Sequence, residues 1–191
     1  MSATETSRLL ARRLATETRG EVLFSGADRG RYATDASIYQ IMPVGVFVPK
    51  TQSDAAIAIA IARDLKVPVL ARGAGTSQCG QTVGAALVID TSKYLRNILE
   101  VDVKARTARV EPGLVLDHLN AALKPHGLWH AVDVSTSAQA NRWASCAKPP
   151  QVRGAGSPPG PTASTARSAA GTAQQISICV SGAGLPRVAA R

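Results

Sequence analysis

Between Pro68 and Gly84 the chain reads PVLARGAGTSQCGQTVG, and here residue types and spacing could do chemistry. Gly73, Gly75, Gly80 and Gly84 follow a strand-like run and stand among Thr76, Ser77, Gln81 and Thr82. Glycine is costly to order, because it loses more backbone freedom on folding than any other residue. In return it leaves peptide N–H groups that an anion can approach without obstruction. Thr76 and Ser77 add hydroxyl donors, and Arg72 adds a permanent positive charge. That set suits a phosphate or a pyrophosphate. It is not a Walker loop, since no Gly-Lys-Ser/Thr follows. Nor is it GxGxxG opening a helix, since Gln81-Thr82-Val83-Gly84 leads into another apolar run. The same residues would also make a ligand-free glycine-rich turn, and the pattern by itself leaves the two open.

The other reactive side chains form no constellation. His126 and His130 would meet only on a continuous helix, and Pro125 and Gly127 break one. With His118 they read as three unconnected histidines near a surface turn, and no metal site is expected. Cys79, Cys146 and Cys179 have no CxxC spacing, so neither a disulfide framework nor zinc is implied. Cys79 reads as a small buried thiol in preference to a point of covalent attachment. The net charge of +9 raises the possibility of nucleic acid. However, all 13 acidic residues precede residue 141, while 141–191 carries six Lys/Arg and no acid. The excess belongs to a tail, not to a basic stripe on a folded surface. No specific nucleic-acid partner is expected.

The elements that must position the loop are well punctuated. MSATETSRLLARRLATETRG opens the chain as an amphipathic helix carrying Leu9, Leu10 and Leu14. Its acids, Glu5 and Glu17, argue against a signal or transit peptide. No apolar run approaches the roughly 20 residues a transmembrane helix needs, and a cytoplasmic protein is expected. IMPVGVFVPK (41–50) is a strand bounded by prolines. In TQSDAAIAIAIARDLK (51–66), Thr51 and Asp54 form the acidic variant of a capping box. The alternation in AAIAIAIA could pass for a strand, but its Ala content and length, and the cations at its end, favour a helix. VPVL (67–70) reads as a buried strand and AALVID (85–90) as another. ILEVDVKARTARVEPG (98–113) predicts a hairpin turning at Lys104-Ala105-Arg106. LVLDHLNAALKPHG (114–127) predicts a helix stopped by Pro125 and Gly127. The order is that of an α+β domain.

After Ala140 the texture changes. NRWASCAKPPQVRGAGSPPGPTASTARSAAGTAQQ has no period, no acid and dense Pro, Gly, Ser, Thr and Ala, so disorder is expected. ISICVSGAGLPRVAAR (176–191) holds one short strand at most. Three regions result: an N-terminal helix and lead-in over 1–30, a domain over 31–140, and a low-complexity basic tail over 141–191.

The run Pro68 to Gln81 closely resembles the pyrophosphate loop of FAD-linked oxidases with a PCMH-type (vanillyl-alcohol oxidase-like) flavin domain. RYATDAS (31–37) and the Pro43–Pro49 strand resemble that family's entry segment. LVIDTSKYLRNILEVDVKARTARVEPG, the next helix and HGLWHAVDVSTSAQA (126–140) continue the likeness in order and spacing. It covers roughly Gly20 to Ala140 and is greatest to the D-lactate/glycolate dehydrogenase branch, especially its large bacterial members with iron–sulfur modules.

The resemblance implies the N-terminal part of that FAD domain, a small α/β subdomain plus the start of a second. The main chain of Gly73, Ala74, Gly75, Thr76 and Ser77, with Arg72 beside it, would hold the FAD diphosphate, and Gly80 and Gln81 would close the loop. Asp133, Ser135 and Thr136 fall in the family's second flavin-binding stretch. Some relatives carry in this loop a His bonded covalently to the flavin. Thr76 stands at that position, so non-covalent FAD is implied. No counterpart of the family's substrate domain is found, no catalytic residue is assigned, and a small 2-hydroxy acid would be the substrate only of a full-length relative. Because codons for Asn141-Arg142-Trp143-Ala144, read one base later, can spell Ile-Gly-Gly, a truncated or frameshifted tail is expected after about Ala140, and an inactive isolated chain with it. The other class of function is a small non-catalytic module whose basic tail binds anionic partners. The tail lacks the aromatic interleaving that single-strand platforms use.

Overall fold

The computed structural model describes residues 2–130, residue 138 and the short strands 176–179 and 181–182. The expectations for the rest of 131–191 lie outside the described residues.

The capping signature at Thr51 forms. Its Oγ1 accepts from the Asp54 N–H at 3.1 Å, and Asp54 Oδ2 accepts from the Thr51 N–H at 2.9 Å. It starts helix α3 (Gln52–Asp64), whose buried Asp54, Ala55, Ala58, Ile61 and Ala62 recur at three- and four-residue intervals. The N-terminal helix α1 (Ala3–Glu17) is capped by Ser2 and contributes the fully buried Leu10 and Leu14. Both helices share a core with Phe47, Leu87 and Ile89. At roughly 1.5–3 kcal/mol for each large side chain, that burial anchors the layer.

The sheet beneath runs β1 (Glu21–Leu23), β2 (Gly45–Val48), β4 (Leu87–Asp90), β3 (Val69–Arg72). Strand β1 is antiparallel to β2, while β2, β4 and β3 are parallel, with Val46, Val88 and Leu70 in one row. The sheet's other apolar cluster joins Val46, Val48 and Val88 with Leu23, Tyr32, Leu70 and Tyr94. The segment 1–30 is thus more than a lead-in, because it builds one edge of the sheet and one of its covering helices. Strand β1 and the short helix α2 (Gly26–Arg31) have no counterpart in the sequence reading. Two glycines in six residues hide the helix. Strand β3 is not buried as VPVL suggests. It lies at the sheet edge, begins two residues later, and leaves Val69 41% exposed. Apolar content cannot tell an edge strand from a central one.

The hairpin forms from β5 (Ile98–Asp102) and β6 (Thr107–Val110), with Arg106 at φ 51° in the turn. Helix α4 (Leu116–Leu123) passes into a 3-10 turn (Lys124–His126), and Gly127 closes it at φ 67°. Strand β7 (Leu128–Trp129) follows, and the second core gathers Ala108, Val110, Leu114, Leu116, Leu119, Leu123 and Leu128. The short strand anticipated near residue 176 is β8 (Ile176–Cys179), which pairs with β6, while β9 (Ser181–Gly182) pairs with β7.

Asp54 links α3 to the end of α1 as well, because its Oδ1 accepts from the Arg19 N–H at 3.0 Å. Burial alone would raise its pKa. The Arg19 N–H, the Thr51 hydroxyl and N–H, and the Lys50 N–H outweigh burial and hold it below the ordinary range. A depressed carboxylate contributes stability above its unfolded pKa of about 3.9 and loses it as pH falls through the folded value. Thr51→Ala is expected to cost about 1 kcal/mol and Asp54→Ala roughly 1–3 kcal/mol in urea unfolding. The gap between wild type and Asp54→Asn should shrink below about pH 4.

Candidate functional site

Strands β3 and β4 are parallel neighbours, so the chain leaving β3 must return to the start of β4. A parallel connection of this kind takes about a dozen residues or more, usually with a helix. Here residues 73–86 make the return without helix or strand. The glycine loop is therefore this crossover, and it begins at the carboxyl end of a parallel strand, where open α/β sheets place their ligands.

Arg72 closes β3 with its side chain turned inward, 8% exposed. Nη1 donates to the carbonyls of Tyr32 and Thr82, each at 3.3 Å, and Nη2 donates to the Thr34 carbonyl at 2.8 Å. The guanidinium lies over the Tyr32 ring, 5.2 Å from its centroid. Arg72 thus supports the loop from beneath with a buried positive charge, and three of its N–H donors are committed to the protein's own backbone. Sequence shows the charge but not the direction in which it points.

Gly75 takes φ 71°, and a Cβ there would lie 2.6 Å from Arg72 Nη2. Its carbonyl accepts from the Ala36 N–H at 3.0 Å. Gly80, at φ 69°, packs against the Tyr39 ring, 2.5 Å from where a Cβ would stand. The Ser77 hydroxyl oxygen accepts from the N–H groups of Cys79 at 3.3 Å and Gln81 at 3.4 Å, turning the chain back. Among the described residues, nothing accepts from the N–H groups of Gly73, Ala74, Gly75, Thr76 or Ser77, although Gly73 is buried. Buried peptide donors are nearly always paired. Five consecutive N–H groups without an acceptor among the described residues, next to a buried cation, are the donor set that an anion cradle requires.

Two further groups complete the site. Tyr32 donates to Asp90 Oδ2 at 2.8 Å, and the Ser92 N–H donates to Asp90 Oδ1 at 2.8 Å. Burial, then the Asp90 carboxylate, raise the Tyr32 pKa, so the phenol stays protonated and donating. Asp35 Oδ2 accepts from the Thr82 hydroxyl at 2.9 Å and its N–H at 3.4 Å, while Oδ1 accepts from the N–H and hydroxyl of Ser37. Burial raises the Asp35 pKa, but the Ser37 and Thr82 donors outweigh it and hold the carboxyl below the usual range. Sequence reasoning gave no role to Tyr32, Asp35, Thr82 or Asp90. The Asp-x-Ser spacing in RYATDAS, an Asx-turn signature, was the available signal.

Gly73, Ala74, Gly75, Thr76, Ser77, Gly80 and Gln81 all lie on this one crossover, and Arg72 ends the strand that leads into it. Asp133, Ser135 and Thr136 lie outside the described residues. Cys79 is not the buried thiol expected; it is exposed, because its peptide sits on the outer bend that Ser77 closes. His118 and His126 are exposed, but His130 is buried rather than near the surface, since β7 carries it back toward the second core. Its N–H donates to Asn120 Oδ1 at 2.8 Å. Among the described residues no helix is long and apolar enough to cross a membrane.

Comparison with known proteins agrees with this geometry. Residues 43–141 match the FAD binding domain family, and the chain belongs to that family. It is 42% identical to the D-2-hydroxyglutarate dehydrogenase of Pseudomonas putida over 125 residues, 64% of this chain and 12% of that protein. With the glycolate oxidase subunit GlcD of Bacillus subtilis it shares 33% over 117 residues, 59% of this chain and 24% of the relative. The chain thus spans a small part of the curated relatives it matches, and the D-lactate/glycolate likeness widens to take in D-2-hydroxyglutarate dehydrogenases. Among solved structures, alkyldihydroxyacetonephosphate synthase superposes with a TM-score of 0.62 at 15% identity over 71% of this chain and 28% of that one. A 4-ethylphenol oxidase from Gulosibacter chungangensis gives 0.54 at 19% over 64% and 25%. At such identities they show the fold alone.

Arg72→Lys keeps the charge but not the fork that reaches three carbonyls, and is expected to cost roughly 2–4 kcal/mol in denaturant unfolding. Gly75→Ala adds a left-handed strain of about 1–2 kcal/mol to the contact with Arg72. Both variants should unfold at lower urea than wild type.

Proposed function

We propose that this chain is the diphosphate-gripping part of a flavin-dependent oxidoreductase of the 2-hydroxy-acid dehydrogenase type. One observation carries the reading: five consecutive peptide N–H groups, Gly73 to Ser77, without an acceptor among the described residues, follow the carboxyl end of β3 above a buried arginine. In this reading those donors and the Thr76 and Ser77 hydroxyls bind the FAD diphosphate. Gly80 and Gln81 close the loop over it. Arg72 contributes its field from below without giving up its bonds to the three carbonyls. Asp133, Ser135 and Thr136 supply the second flavin-binding stretch. Bound FAD supplies the acceptor for a hydride from the substrate carbon.

The names of the relatives favour a small 2-hydroxy acid, such as D-2-hydroxyglutarate or glycolate, as substrate of the whole enzyme. No residue of this chain is assigned to the chemical step, and the isolated chain is expected to bind FAD without oxidising 2-hydroxy acids. Thr76 offers no imidazole, so the flavin is held non-covalently. A cytoplasmic location completes the proposal.

Titrating the purified chain with FAD tests it. A ligand at about 100 times its Kd adds roughly 2.7 kcal/mol of stability, so Tm should rise, and Gly75→Ala should blunt the rise. An unchanged Tm in saturating FAD overturns the reading. Acid precipitation of the loaded protein should leave all of the flavin colour in the supernatant, whereas colour in the pellet would contradict non-covalent binding.

A further inference from the structure

A crossover without helix or strand has no ladder to hold its shape, so the few bonds across it decide where its donors point. Three consecutive residues outside the loop make most of them. The Thr34 carbonyl accepts from Arg72 at the loop's start, at 2.8 Å. The Ala36 N–H donates to the Gly75 carbonyl in its middle, at 3.0 Å. Between them, Asp35 takes the hydroxyl and N–H of Thr82 at its far end, at 2.9 and 3.4 Å. Thr82 is gripped from its other side as well, since its carbonyl accepts from Arg72 Nη1 at 3.3 Å. The second Asp35 oxygen is filled by Ser37, which fixes how the carboxylate faces the loop.

We propose that Asp35, acting through Thr82, is a positioning residue for the dinucleotide. It touches no phosphate, but it sets the far end of the loop so that the Gly73–Ser77 donors converge on one anion. The proposal rests on the FAD reading above and adds a residue on which affinity depends. An ionised carboxylate is needed, because both oxygens must accept. Asparagine has one acceptor oxygen and an NH2 that can only donate, so it cannot serve Ser37 and Thr82 together. At Thr82 the hydroxyl is the group required. Valine copies its shape without it, and serine restores it.

The test uses the full chain, titrated with FAD by flavin fluorescence, beside trypsin cleavage after Arg72, whose burial protects that bond while the loop is held. Thr82→Val and Asp35→Asn should each weaken FAD about 5- to 30-fold, the loss of one or two charge-assisted bonds. Both should speed cleavage after Arg72 while leaving cleavage after Arg63 unchanged. Thr82→Ser should stay within about 2-fold of wild type in both assays. Thr82→Val with wild-type affinity overturns the proposal, as does a loss that Thr82→Ser fails to restore. Should wild type itself bind no FAD, the FAD reading falls. In that case the cleavage assay still decides whether the Asp35–Thr82 contact holds the loop, and equal cleavage after Arg72 in Thr82→Val and wild type overturns it.

Discussion

A buried guanidinium bound to backbone carbonyls is the interaction on which this structure turns. Arg72 is withdrawn from water, yet no carboxylate forms an ion pair with it among the described residues; its charge is met by the carbonyl oxygens of Tyr32, Thr34 and Thr82 and by the face of Tyr32. A desolvated cation without such acceptors would cost several kcal/mol, and the three carbonyls without the cation would be left wanting donors. The two problems solve each other only in this arrangement. The same contact explains Gly75, because no Cβ fits between the loop and Arg72.

Topology explains why that contact is needed. With β4 placed between β2 and β3, the chain passes from β2 out to the edge strand β3 and then back to β4, so both connections in the parallel part of the sheet are crossovers. One crossover is the capped helix α3, which is stabilised by its own ladder and by burial against α1. The other is residues 73–86, which has neither. What holds it comes from residues 32–36, just before β2, through carbonyls, one amide and one carboxylate. An unladdered loop keeps unpaired N–H groups, and unpaired N–H groups are what an anion requires. The missing ladder and the supply of unpaired donors are one feature.

The second core is tied to the first by backbone as much as by side chains. The Gly113 N–H donates to Leu95 at 2.8 Å and the Glu111 N–H donates to Asn97 at 2.9 Å, while the Glu111 carboxylate accepts from the N–H and side-chain amide of Asn97, each at 2.8 Å. A Cβ on Gly113 would lie 2.1 Å from the Thr91 carbonyl, so the hairpin can approach the end of β4 only through a glycine. That approach sets the strand end of β4 beside the hairpin.

The sequence by itself determined the elements whose signals are local. Thr51 and Asp54 announced the capping box, Pro125 and Gly127 stopped α4, and Lys104 to Arg106 turned the hairpin, because capping, breaking and turning are decided by neighbours within a few residues. The glycine loop was legible as a break between two strands for the same reason, while its donors by themselves left a ligand site and a plain turn open. Only the tertiary structure decided that VPVL is an edge strand, that β1 and α2 exist, that Cys79 faces outward, and that Arg72 points beneath the loop rather than out of it. The edge position of β3, the pairing of β1 and the direction of Arg72 each depend on a partner far away in the chain. Arg72 finds two of its three acceptors some forty residues upstream, and no local pattern encodes a bond made across that separation.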